Sequence, residues 1–468
     1  DSAELTVGAY ALGFVHAPGY PLYMLLGHGF SLLPLGDVGM QLNLMSAVFA
    51  VLTVLMLVCI MQEELEGIFQ ALFVSLLFAT IPLFWSQALR AEVYTLHAFL
   101  MTSVLYVWKR AHRPGQRKWY ILCFVLLGLS MGNHPTTALL WGTLLVLLVW
   151  EAPGFRWLGI AGSALGAAIA VALYLYFPVR SAAMPAIDYL QTYFGADLRS
   201  IEGLWWLFSA RMFQHALYVD RSIFNIVGEL LRFGVLLWES FLGIGFVLGL
   251  WGWWRLRQRD LLWNRLLTIY FAANAILFTL YHVVDKEVMF LPAFAVWTIW
   301  TAVGAKELAT WLAQYLPQFP ASSVKRATGG VLLLIVVLGM AFRWGSVSLH
   351  DNRTAYDYAF RLLEEVEPST LVVSGWVTAS VLDYLQLVEG HRPDVQSFNL
   401  DFYNLAQQER HGSLSSSSAQ TEWFAWLDRQ VEQRPLCFIE PLPAVPERFS
   451  WTRHGSVSYT HLTLPTTS

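Results

Sequence analysis

The first residues of the chain place two carboxylates, Asp1 and Glu4, three positions apart, and the run His16-Ala17-Pro18-Gly19-Tyr20-Pro21-Leu22-Tyr23 follows. A carboxylate that takes a proton from an attacking hydroxyl is worth roughly 10²–10⁴ in rate. The Pro-Gly-Tyr-Pro sequence sets a chain reversal ahead of an interfacial helix. The bland alternative is a solvated loop ending in a turn. Further on, Arg90-Ala91-Glu92-Val93-Tyr94 opens an apolar run. A glutamate there suits the positive end of a helix dipole. Charged groups at membrane depth are nevertheless costly and mark functional sites by default, and Arg90 has the paired donors to hold a phosphate.

Other polar residues interrupt the apolar runs. Asn133-His134 stands between two of them, and His134 is either a structural partner or a site residue. Arg180 ends another after Phe177-Pro178-Val179, where it either snorkels to the headgroups or binds a lipid phosphate. Tyr281-His282-Val283-Val284-Asp285-Lys286-Glu287 crowds charges into one short connection before Phe290-Leu291-Pro292, and Asp285 with its neighbours is either wet or part of a site. No cluster has zinc-ligand spacing. Asp1 with Glu4 makes a weak case for a divalent ion, so a metal requirement stays open while none is expected.

The elements that hold these residues must lie in a bilayer. Of 468 residues, 56% are hydrophobic and only 13% charged, against about 25% charged in soluble domains; the mean hydropathy is +0.50. An ordinary soluble enzyme and a disordered chain are both excluded. The 21 Trp, 19 Tyr and 30 Phe fit many membrane–water interfaces. A net charge of −4 gives no sign of a nucleic-acid partner. Cys59, Cys123 and Cys437 lie far apart and form neither a disulfide framework nor a metal motif.

Runs long enough to span are expected at 41–61, 68–88, 93–108, 119–133, 136–150, 157–177, 236–254, 262–282, 288–304 and 329–344. Pro135 breaks the hairpin formed by the fourth and fifth. The loops carrying Lys109, Arg110, Arg113, Arg117 and Lys118, then Arg255, Arg257, Arg259 and Arg265, then Lys306, Lys325 and Arg326, fall on one side, which the positive-inside rule makes cytoplasmic. The acidic loop 62–67 gives that assignment no support. The opposite side receives 1–40, Arg90–Glu92, Asn133–His134, the interfacial stretch 178–235, Asp285 and everything after 345. Residues 345–456 alternate helix and strand and are expected to form a small extracytoplasmic α/β domain beyond the transmembrane part, 1–344. Residues 457–468 read as translated adapter sequence rather than as native chain.

In order and joint placement these motifs resemble the GT-C superfamily of multipass glycosyltransferases. More narrowly, the chain resembles the bacterial membrane family related to the eukaryotic transmembrane protein O-mannosyltransferase. The matching pieces are Asp1-Ser2-Ala3-Glu4, His16 to Tyr23, Asn43, Phe84-Trp85-Ser86-Gln87, Glu92-Val93-Tyr94, His134, Arg180, Tyr281 with Asp285, Phe290-Leu291-Pro292 and Arg392-Pro393-Asp394-Val395. Ala3, Ala17 and His97 depart from the residues usual in that family, and a first transmembrane helix is expected just before Asp1.

The resemblance implies an α-helical polytopic membrane protein of about 10–11 spans, GT-C-like, with a sugar (mannose) carried on a polyprenyl phosphate as donor substrate. It implies a protein or glycan acceptor, and an active face on the extracytoplasmic side of the cell membrane in a bacterium or of the endoplasmic reticulum in a eukaryote. Asp1 takes the place of the general base, with Glu4 supporting it. Arg180 and Arg90 are the expected phosphate ligands, with His16 and His134 behind them, and Glu92, Tyr94, Tyr20 and Asp285 are further site candidates. A secondary transporter or lipid flippase is the competing reading, and it would show paired repeats and helices broken at mid-membrane. A scaffold whose outer domain binds partners is a third.

Overall fold

The computed structural model describes residues 1–151, 156–217, 222–439, 450–453 and 460–463. Two short helices, α1 (Ser2–Ala11) and α2 (Pro21–Ser31), precede the long apolar α3 (Val38–Met61). Asp37 caps α3 by accepting from the Met40 amide at 2.7 Å. Then come α4 (Ile68–Ala79) and α5 (Pro82–Ala88), which meet at a 76° bend; Pro82, which has no N–H to continue the ladder, starts the second piece. The chain continues through α6 (Tyr94–Ala111), α7 (Trp119–Met131), α8 (Thr137–Glu151), α9 (Arg156–Tyr174), α10 (Tyr176–Ala182) and α11 (Ile201–Phe208). The bundle closes with α12 (Ile223–Ser240), α13 (Ile244–Arg259), α14 (Leu261–Thr279), α15 (Leu291–Tyr315) and α16 (Ala321–Val347).

The molecule is a polytopic helical membrane protein. Among the described residues, five helical segments are long and apolar enough to cross a bilayer, and up to seven if each bent pair is one span. Two shorter apolar helices, Trp119–Met131 and Thr137–Trp150, form the hairpin expected around Pro135. The run 236–254, read as one span, is divided instead. The chain leaves α12, passes through left-handed Leu242 (φ 55) and Gly243 (φ 63), and enters α13 at 105°. Uniform hydropathy hid that turn, because both arms are equally apolar.

Burial orders the bundle. The apolar window of the α15 segment is 94% buried, that of α16 only 17%, so α15 is the central post and α16 faces lipid. Helix α13 lies against α15 at backbone contact. A Cβ on Gly252 would sit 1.7 Å from the Trp300 carbonyl oxygen, and one on Gly304 2.0 Å from that of Leu248. Small residues allow this approach where lipid supplies no hydrophobic drive between helices.

One end of the bundle is ionic. The acidic 62–67 loop gathers the basic loops around itself: Glu63 pairs with Lys109 (3.3 Å) and Arg113, Glu64 with Lys306 (3.3 Å) and Arg259 (3.5 Å), and Glu66 with Lys325 (2.9 Å). Glu307 joins Arg255 (2.7 Å) and Arg259. The three basic loops do share one end, and the loop that seemed uninformative is what ties them together.

The opposite end carries the small domain: α17 (Thr354–Glu365), β1 (Leu371–Ser374), α18 (Trp376–Leu387), β2 (Gln396–Asn399), α19 (Leu400–His411), α20 (Ser417–Val431) and β3 (Leu436–Phe438). Strand β1 pairs in parallel with β2 and β3, with Leu371 opposite Gln396 and Leu436. All four β1 residues are buried, as a central parallel strand requires. Strands β4 (Ser450–Arg453) and β5 (Thr460–Thr463) extend the sheet in the order β2-β1-β3-β5-β4. Of the adapter-like tail, only those last four residues are described. Helix α19 follows β2 directly, with Asn399 as its N-cap, and the serine-rich stretch 413–418 runs into α20 through an N-cap at Ser416.

Candidate active site

The His16 loop is fixed from both flanks. Phe14 donates its amide to the Ile187 carbonyl at 2.9 Å, and the Tyr176 hydroxyl donates to the Gly13 carbonyl at 3.0 Å. The reversal that follows needs glycine: Gly19 has φ +82, and a Cβ there would meet the Phe177 ring at 2.5 Å. Tyr20, also left-handed, then caps α2 and turns back, so that its hydroxyl lies 3.0 Å from His16 Nε2.

Glu4 projects from α1 into this loop and is fully buried. Its carboxylate accepts from the His16 amide (2.7 Å) and from the Trp376 indole (2.8 Å), and lies 2.9 Å from His16 Nδ1. Nδ1 faces Glu4 and Nε2 faces Tyr20, so both ring nitrogens have partners. Burial alone would raise the Glu4 carboxyl. The charge and N–H groups of His16 outweigh it and hold the carboxyl below the ordinary range. Asp1 caps nothing. Its Oδ2 stands 3.9 Å from His16 Nε2 and its side chain is 41% exposed, so it is the carboxylate of the pair open to a substrate.

A second group faces the first. Glu92 lies just ahead of α6, next to its N-cap Val93, and makes no capping hydrogen bond there. It accepts instead from the Ser2 hydroxyl at 3.4 Å and lies 4.0 Å from Arg90 Nε, while its amide donates to Ser46 Oγ at 3.2 Å. Burial pushes its carboxyl up. Two carboxylates on one face are thus driven in opposite directions, the pattern of an acid–base site. The His134 ring bridges the groups, with centroids 6.0 Å from Tyr20, 5.9 Å from Tyr94 and 5.2 Å from His97. His134 Nδ1 lies 2.8 Å from the Thr136 hydroxyl, and Asn133 donates to the Val93 carbonyl at 3.1 Å, locking the α7–α8 turn to the start of α6. Tyr281 and Asp285 lie within Coulomb reach of Tyr94.

The structure therefore gathers Asp1, Glu4, His16, Tyr20, Arg90, Glu92, Tyr94 and His134, with Asp285 at the margin. Arg180 stands apart from them. Its Nε and Nη2 donate to the Leu12 and Ala11 carbonyls (3.0 and 3.2 Å), at the far end of α1. His16 spends both ring nitrogens on Glu4 and Tyr20. Arg392, in the tail motif, pairs with Asp394 (2.9 Å) and reaches the Val366 carbonyl (3.3 Å), holding α17 to the approach to β2. Among the described residues no group of three or more His, Cys, Asp or Glu side chains is placed to hold a metal ion. The sequence reading missed Trp376. The one available signal was its place just past a buried parallel strand, where α/β sheets present their ligands.

Residues 1–153 match the family model described as the Protein O-mannosyl-transferase TMEM260 N-terminal domain. The mouse Protein O-mannosyl-transferase TMEM260 is 31% identical over 98 residues, which is 21% of this chain and 14% of that protein, so the match spans only a small part of the relative's length. Among solved structures, ArnT from Cupriavidus metallidurans superimposes with a TM-score of 0.56 in the apo state and 0.60 bound to undecaprenyl phosphate. Identity is 12% and 13%, and each match covers 98% of this chain and 92% of ArnT. The chain thus has the ArnT fold over nearly its whole length, and over its first third its sequence is similar to that of the O-mannosyltransferase-related proteins, as the sequence motifs led one to expect.

Proposed function

We propose that the chain is a membrane glycosyltransferase that moves a sugar, mannose by the name of its relative, from a polyprenyl phosphate to an acceptor hydroxyl, with protein O-mannosylation as the favoured case. The carrying observation is that the polar residues of the first third converge with Glu92 and His134 on one buried cluster at one end of the bundle. The ArnT structure with undecaprenyl phosphate supports a lipid-phosphate donor of this class. The ionic end lies opposite the cluster, which supports an extracytoplasmic site by the positive-inside rule.

In this reading Asp1 accepts the acceptor's hydroxyl proton. The acceptor oxygen bonds to the anomeric carbon as the bond from that carbon to the phosphate oxygen breaks, and polyprenyl phosphate leaves with the electron pair. The buried Glu4–His16 pair fixes the ring beside which Asp1 stands, with Asp1 Oδ2 3.9 Å from His16 Nε2. Arg90 is the cation placed to meet developing negative charge beside the cluster. The bent pairs α4–α5 and α12–α13 are broken helices of the kind the transporter and flippase reading expects, but the array of polar residues at one end of the bundle favours the transferase. The test is incubation of the full-length protein with radiolabelled polyprenyl-phosphate mannose and a hydroxyl acceptor. Transfer lost in Asp1→Asn at unchanged expression supports the reading; undiminished transfer removes Asp1 as base, and no transfer by the wild type with any such donor removes the reading.

A further inference from the structure

The small domain meets the candidate site along α18, which packs against α1 with Ala3 on the domain's core, and one of its side chains bonds directly to the site's buried carboxylate. Trp376 opens α18 two residues after the last residue of β1. Its amide donates to the Asp401 carboxylate at 2.7 Å. Its ring packs edge-on to Phe402 (centroids 4.5 Å, 60°) and to His16 (5.1 Å, 69°). Strand, cap and ring contacts together aim the indole nitrogen at Glu4, 2.8 Å away. The carboxylate it meets is sealed from solvent, so no water replaces the donor if it is lost. Further domain hydrogen bonds reach the 187–217 segment: Tyr189 donates to Asp383, the Asn399 amide to the Tyr193 hydroxyl (2.7 Å), and the Trp206 indole to Glu409 (2.9 Å). None of these touches Glu4.

We propose that Trp376 is a positioning residue: through its indole N–H the small domain holds the Glu4–His16 pair in register, so the site is complete only with that domain docked. The consequence for catalysis rests on the glycosyltransferase reading above; the contact itself does not. A buried carboxylate stripped of one donor loses a charge-assisted bond and keeps an orphaned lone pair. Its pair with His16 is then free to shift, and Asp1 loses its reference.

Trp376→Phe keeps the ring against His16 and Phe402 and removes only the N–H. Glu4 is faced by His16 and the Asp1 amino group from the N-terminal segment, by Tyr20 from the turn, by Tyr189, and by Asp383 on α18, all of which the variant retains. Two readouts on the full-length protein separate the claims. The first is the apparent unfolding midpoint against pH. The variant is expected to melt about 3 °C lower at neutral pH, and the gap to close as pH falls through the carboxylate range, below about 4. A gap that does not vary with pH overturns the proposal, because lost packing alone carries no proton. The second is transfer: kcat about tenfold lower with donor KM within about twofold. An unchanged kcat overturns the positioning role. If the wild type transfers no sugar, the functional reading fails and the proposal stands or falls on the unfolding gap.

Discussion

His16 Nδ1 lies 2.9 Å from the Glu4 carboxylate, and both side chains are buried at the end of the bundle opposite its ionic loops. A buried ion or proton-sharing pair is costly unless its remaining sites are filled. Here they are filled by the His16 amide, the Trp376 indole and the Tyr20 hydroxyl. Because Glu4 is held below its ordinary range, its contribution to stability is full above the unfolded carboxyl value and is lost as pH falls through the folded one. The wild-type melting midpoint is expected to drop steeply in that acid window. Glu4→Gln should flatten the drop, and a thermal scan across pH on both proteins checks it.

Asp1 should separate chemistry from folding. It is 41% exposed and caps no helix amide, so Asp1→Asn is expected to leave the melting temperature within about 1 °C. Transfer should fall by roughly 10²–10⁴, the usual worth of a positioned base. A variant that loses both folding and transfer would mean that Asp1 serves the fold.

Glu92 should behave in the opposite sense. Burial raises its carboxyl above the unfolded value, so its penalty is absent at low pH, grows through that window and is fully present above the folded value. Glu92→Gln removes the penalty and is expected to raise the melting midpoint by about a degree at neutral pH, with no gain at acid pH. Lower transfer together with higher stability is the signature of a group kept for function. A variant less stable at neutral pH would contradict this account.

Much of this site was legible because its residues cluster in sequence. Asp1, Glu4 and the His16–Tyr23 run lie within the first 23 positions, and the breaks at Glu92 and Asn133-His134 interrupt otherwise apolar helices. What hydropathy could not show was direction. It read 236–254 as one span because Gly243 turns the chain between two equally greasy arms. It gave the acidic 62–67 loop no meaning because Glu63, Glu64 and Glu66 acquire theirs from cations up to 259 positions away. Trp376 was missed for the same reason: its place after a strand marks it only as near a ligand-presenting edge, while its partner is 372 residues distant.

The ionic end offers a control far from the chemistry. Glu307 is largely buried between Arg255 and Arg259. Glu307→Gln leaves two guanidinium groups side by side with one neutral acceptor, a loss of about 1–3 kcal/mol. The melting temperature is expected to fall while the transfer rate per folded molecule stays within about twofold of wild type. A large loss of transfer in the folded fraction would show that this end is coupled to the site.

The two arginines first weighed as phosphate ligands now make different predictions. Arg180 spends Nε and Nη2 on the Leu12 and Ala11 carbonyls, the place where a cation favours a helix C-terminus. Arg180→Gln should therefore cost about 1 kcal/mol of stability and act on catalysis through the placement of α1, lowering kcat with donor KM unchanged. Arg90 is 42% exposed and lies 4.0 Å from Glu92. Arg90→Gln should leave the melting temperature alone and raise KM for the lipid phosphate, and the change should weaken at high salt because an exposed cation is screened. Steady-state kinetics with donor concentration varied at two ionic strengths distinguishes them. If Arg180→Gln raises donor KM and Arg90→Gln does not, the phosphate sits by the end of α1, and the reacting centre must be moved away from Glu92.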